Sequence, residues 1–137
     1  MIHYEDPKVA TGCLIVDDEK RVLLVQRSIE PVGLWTFPGG YVDRYEDPDK
    51  AAAREVYEET GATIETVSLQ AIYRAPKSPV LVLVYLAQLL PGSKPPEALH
   101  ECQNIGFFAY PDIPWDRLAF QNTRSALQDY YERGTES

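Results

Sequence analysis

Three carboxylates within five residues, Glu55, Glu58 and Glu59, stand beside a single base, Arg54. On a helix, at about 100° per residue, the three fall within an arc of about 100°. Like charges at that spacing repel one another, more so when water is partly excluded. A cluster of hard oxygen donors is what Mg2+ or Mn2+ takes as ligands. A bound cation removes the repulsion and attracts an anionic substrate. Residues 40–62 hold seven acids and three bases, a local charge of −4, so the expected need for a cation is strong.

The stripe requires a helix and a loop to position it. Pro48 to Thr60 carries the marks of that helix. Asp47 suits the N-cap and Pro48 the first helical position. Asp49 lies in the first turn, where negative charge suits the dipole. Ala51, Ala52 and Ala53 favour helix, and Gly61 falls where a left-handed C-terminal residue is expected. Ala52, Val56 and Thr60 share the adjoining inward face, with Ala53 and Tyr57 beside them. Upstream, the extended segment Trp35 to Pro38 is broken by Gly39 and Gly40, whose missing Cβ atoms let backbone approach a phosphate or a cation.

Gly40, Glu46, Arg54, Glu55, Glu58, Glu59 and Gly61 satisfy the spacing G-x5-E-x7-R-E-U-x-E-E-x-G-U, where U is a bulky aliphatic residue. Val56 fills the first U, and the small Ala62 stands at the last. With ordinary residue usage, seven fixed positions match by chance roughly once in 10^8 starts. Over residues 40–62 the chain therefore resembles the Nudix hydrolases. The resemblance implies an α/β fold, the Nudix α/β/α sandwich with a mixed β-sheet between helices. It also implies an enzyme that cleaves a diphosphate linkage with Mg2+ or Mn2+.

The chain has 137 residues, 45% of them hydrophobic and 25% charged, as expected for one globular domain spanning residues 1–137. A formal charge of −8 argues against duplex nucleic acid as a partner. Cys13 lies in an apolar strand-like run and is expected to be a buried hydrophobe, Cys102 a surface thiol, and the two unpaired. The opening MIHYEDPK has no apolar leader, and no apolar run is long enough to span a membrane, so a cytoplasmic location is expected.

The remaining pattern predicts strands at Val9–Val16 and Arg21–Arg27, joined as a hairpin across Asp17–Lys20. Further strands are predicted at Ile64–Tyr73, Val80–Leu89 and Ile105–Tyr110. A polar loop covers Pro91–Asn104, a short turn Pro114–Leu118, and a closing helix Asn122–Glu132. Strands interspersed with two helices suggest a mixed sheet between them.

Outside the box, Tyr4 to Cys13, Arg27-Ser28-Ile29-Glu30-Pro31, Gly33-Leu34-Trp35, Ile113-Pro114-Trp115-Asp116 and Leu118-Ala119-Phe120 look like the branch that hydrolyses ADP-ribose, FAD and related adenine dinucleotides. That branch often carries an N-terminal zinc ribbon; the chain opens past where one would end, so no zinc is expected. The resemblance implies metal ligands at Glu55, Glu58 and Glu59 and at the carbonyl of Gly39, just before the box glycine. The expected catalytic residues are Glu58 (ligand or base), Glu101 on a later loop as general base, and Arg54 orienting the glutamates. Glu97 is the fallback base, and Glu46 supports the loop. Arg27 and Arg74 are candidate phosphate contacts. Tyr4, Tyr73, Trp115 and Phe120 are candidate stacking partners for adenine. The expected partner is a small nucleotide, with a homodimer suggested by related enzymes. Three other readings share the box: a house-cleaning nucleoside triphosphate pyrophosphatase, a non-catalytic nucleotide sensor, and an isoprenoid diphosphate isomerase, which needs a catalytic cysteine where Cys13 lies deep in a predicted strand.

Overall fold

The protein is described by a computed structural model over residues 8–135. Seven strands and two helices run in the order β1 (Lys8–Ile15), β2 (Val22–Arg27), β3 (Trp35–Thr36), β4 (Gly39–Tyr41), α1 (Pro48–Thr60), β5 (Ile64–Tyr73), β6 (Val80–Leu89), β7 (Cys102–Phe108) and α2 (Gln121–Thr135). Two short 3-10 turns, Tyr110–Asp112 and Trp115–Arg117, link β7 to α2.

The first sheet is mixed, in the order β4-β1-β6-β5, with β1 parallel to β6 and the other pairs antiparallel. The second is β3-β2-β7, all antiparallel. Consecutive apolar residues in a strand mean burial on both faces, and β1 and β2 are built this way. Cys13, Ile15 and Leu23 pack with Ala52 and Val56 of α1. Leu14, Val22 and Leu24 point the other way, toward Ala126 and Leu127 of α2. The helices thus cover opposite faces of the strand layer, as the α/β/α expectation requires. Ala62 is fully buried in the α1 core with Ile64.

The expected β1–β2 hairpin does not form. Both edges of β1 are occupied, by β4 and β6, and only the bridge Val16–Val22 joins β1's end to β2. The connection stays tight because the Asp17 carboxylate accepts the N–H groups of Glu19 and Arg21. The expected break at Gly39–Gly40 is also a strand, β4, because these glycines pair with Gly12 and Thr11 of β1. β7 begins at Cys102, three residues before the predicted start, since β2 pairs Gln26 with Asn104 and Arg27 with Cys102, leaving polar Gln103 at a register shift between them. Among the described residues no helix is long and apolar enough to cross a membrane.

Candidate active site

Helix α1 begins and ends where its sequence signals lie. Asp47 has the extended backbone of an N-cap, yet its carboxylate caps no N–H and instead lies 3.6 Å from Lys50 Nζ. Gly61 adopts φ 75°, and its N–H closes the last turn on the Tyr57 carbonyl. Tyr57, expected beside the inward face, is exposed. The final carbonyls of a helix need partners from outside it. Here the loop before β7 supplies them: Glu97 N–H donates to Thr60 O and Leu99 N–H to Glu59 O, each at 2.9 Å. The loop carrying Glu101 is thereby docked on the end of α1.

The glutamates divide into two environments. Glu59 is half-buried, and its Oε2 accepts the Gly39 N–H at 3.0 Å. Burial, reinforced by the charges of Glu55 and Glu101, pushes its pKa up to about 8 despite the opposing Gly39 N–H and Arg27. Glu55 lies against β4, where a Cβ added to Gly40 would fall 2.4 Å from Glu55 Cδ. Its pKa is also raised, chiefly by burial, with Arg54 opposing. Glu58 is exposed and turned onto Arg54 Nη1 at 3.3 Å.

Arg54 is the hub of this edge. Its Nε and Nη2 donate to Glu46 at 2.8 and 3.0 Å, its Nη1 to Glu55 at 3.0 Å, and its Nη2 to the Tyr41 carbonyl at 3.1 Å. Glu46 also accepts the Asp43 N–H, and the Arg54 guanidinium holds its carboxyl below the usual range. One cation thus fixes the turn before α1 to the glutamates.

A cavity of about 410 Å³ opens beside Glu59 and the Gly39–Gly40 strand. It brings together Gly39, Glu59, Glu101, Arg27 and Phe120 from the expected set. Arg27 stacks over the Phe120 ring, 5.0 Å from its centroid, and its buried Nε has no hydrogen-bond partner among the described residues. Arg74 is exposed and does not line the cavity. Tyr73 turns to α2 instead, donating to Asp129 at 2.7 Å. Trp115 packs in the α2 core beside Tyr110. Glu97 is exposed and lines a separate surface groove at the end of α1. Tyr4 lies outside the described residues.

Cys13 is fully buried, as expected, and both thiols are free. Cys102 is not a surface thiol: it lines the cavity, and burial pushes its pKa up to about 12. The sequence also gave no sign of Thr36 and Thr123, buried at the cavity wall and hydrogen-bonded at 2.8 Å across 87 residues. No local pattern marks such a pair.

Among the described residues, no three His, Cys, Asp or Glu side chains already converge around a common point. The donor chemistry nevertheless suits a hard divalent cation. Glu55 and Glu59 present carboxylates at the two glycines, where the absence of Cβ atoms leaves a cradle. Glu58 joins them only by leaving Arg54.

The NUDIX domain model matches residues 6–130. An ADP-ribose pyrophosphatase of Methanocaldococcus jannaschii is 31% identical over 132 residues, covering 93% of this chain and 75% of the relative. A Nudix hydrolase structure from Nitrosomonas europaea superposes with a TM-score of 0.87 at 34% identity, covering 100% of this chain and 77% of that one. A MutT Nudix hydrolase from Burkholderia pseudomallei gives 0.78 at 32% identity, covering 91% and 98%. The chain belongs to the Nudix hydrolase family.

Proposed function

We propose that the protein hydrolyses the diphosphate bond of a nucleoside diphosphate linked to a second moiety X, such as ADP-ribose or FAD, releasing a nucleoside monophosphate and phospho-X. The observation that carries this reading is the partly desolvated Glu59 carboxylate at the end of the cavity, between Gly39 and the docked Glu101 loop. The likeness to an ADP-ribose pyrophosphatase over 93% of the chain supports the substrate class.

In this reading Glu55 and Glu59 hold Mg2+ or Mn2+, with Glu58 and the Gly39 carbonyl completing the set. When bound, the cation polarises the diphosphate and lowers the pKa of an attacking water. Glu101, at the same cavity, accepts that water's proton. Arg27 has a buried N–H without a partner among the described residues and offers it to a phosphate oxygen. Arg54 touches no substrate; it holds Glu55 in register with Glu46 of the turn before α1.

The test is a panel of ADP-ribose, FAD, NADH, diadenosine polyphosphates and nucleoside triphosphates, with Mg2+ and with EDTA. EDTA-sensitive cleavage of the diphosphate conjugates is expected. Preference for triphosphates would favour the pyrophosphatase reading, which the likeness to a MutT protein supports. Glu101→Gln is expected to lower kcat by about 100-fold or more, the usual worth of a general base, with metal affinity little changed. A lost metal site on titration would make Glu101 a ligand instead.

A further inference from the structure

The turn before α1 carries an aromatic ring that the proposed site does not use. Residues Asp43–Glu46 close on themselves, with the Glu46 N–H donating to Asp43 O and the Asp43 N–H to Glu46 Oε1, both at 3.1 Å. Within this turn Tyr45 sits at φ 67°. That left-handed conformation is free to glycine and strained for a residue with a Cβ. Tyr45 is 97% exposed, and among the described residues its ring meets only Arg44, whose guanidinium carbon lies 5.9 Å from the centroid. The two turn hydrogen bonds hold this backbone in place, while the 97% exposed ring itself gains no burial. A strained residue beside a site is an observation from which function can be argued.

Four residues earlier, Tyr41 is 55% exposed and lines the cavity, with the Lys8 ammonium 5.7 Å over its ring. Both tyrosines ride on one segment clamped by Arg54, through Glu46 and the Tyr41 carbonyl, to Glu55. Each ring is exposed and lies under a cation; that of Tyr41 lines the cavity, and Tyr45 continues the same clamped segment into solvent, in a chain whose net charge is −8. A cavity of about 410 Å³ is near the lower end for ligand sites. It suits one nucleoside half, and a diphosphate at the glutamates leaves the other half outside.

We infer that Tyr45 and Tyr41, with Arg44 and Lys8, form an outer subsite that stacks on a planar ring carried by the X half. The favoured substrates are then dinucleotides with a ring on each half, over conjugates whose X is a sugar alone. This rests on the proposed hydrolysis. Stacking on one aromatic side chain is worth roughly 5- to 100-fold in binding, and an exposed ring falls at the low end.

The experiment compares wild type, Tyr45→Gly and Tyr45→Phe on FAD and ADP-ribose. Tyr45→Gly is expected to raise Tm, because the strain is relieved, and to lower the ratio of kcat/KM for FAD over ADP-ribose by about 5- to 20-fold, mainly through KM. Tyr45→Phe keeps the ring and the wild-type ratio. An unchanged ratio in Tyr45→Gly overturns the subsite. If wild type cleaves neither compound, the hydrolysis reading fails. The subsite is then judged by equilibrium binding of FAD in EDTA: weaker binding by Tyr45→Gly than by wild type upholds it, and equal binding overturns it.

Discussion

Glu59→Gln is expected to lower turnover of any conjugate the protein cleaves by at least about 100-fold while the fold persists, because a ligand needed in the transition state is lost. The fold survives because an amide oxygen can still accept the Gly39 N–H that Glu59 Oε2 accepts at 3.0 Å. What disappears is the negative charge. Near-normal rates at saturating Mg2+ would remove Glu59 from the site. The same variant has a signature in metal-free protein. The folded Glu59 pKa is raised from 4.5 to about 8, so between those values the folded chain retains a proton that the unfolded chain has released. Stability conferred by that proton is complete below about pH 4.5 and is lost as the pH rises to about 8. Glu55 shifts in the same direction. In EDTA, thermal melts of wild type should therefore decline from pH 5 to 8.5 more steeply than those of Glu59→Gln. Parallel curves would mean that Glu59 is not desolvated.

Gly39→Ala is expected to destabilise the fold by about 3 kcal/mol or more, at or beyond the usual cost of overpacking. The added Cβ would fall 2.0 Å from the Thr11 carbonyl oxygen and 2.8 Å from Gly12 Cα. These are backbone atoms of β1, which lies between β4 and β6, so only separation of β4 from β1 relieves the contact. Gly40→Ala makes a close contact of a different kind, because its Cβ meets the far end of the Glu55 side chain at 2.4 Å. That carboxylate can swing aside, so the neighbouring variant should keep most of its stability and lose activity. Urea denaturation beside a turnover assay separates the two. A Gly39→Ala protein within about 1 kcal/mol of wild type would disprove the close β1–β4 approach, which dense interior packing makes costly to disturb.

Much of the scaffold was legible because its signals are local. Pro48 and Gly61 bracket α1, and the structure keeps those limits. The apolar runs at Ile64–Tyr73 and Val80–Leu89 became strands with the predicted ends. Strand partners were not legible. The short connection after Val16 suggested a hairpin, but β1 gains more by pairing along its whole length with β6, from Lys8–Val80 to Ile15–Ala87. Arg27 and Arg74 read alike as basic residues near strand ends, yet only Arg27 lines the cavity, because the β2–β7 pairing carries it beside Cys102.

The glutamate stripe and its helix were determined by the sequence alone, since helical period and end signals act within a few residues. Only the tertiary structure decided that the three carboxylates are unequal. Glu58 remains in water on Arg54, while Glu59 is enclosed by a strand 20 residues upstream and by the loop that ends at Glu101. Desolvation depends on everything packed around a charge, and those neighbours are brought together only by the fold.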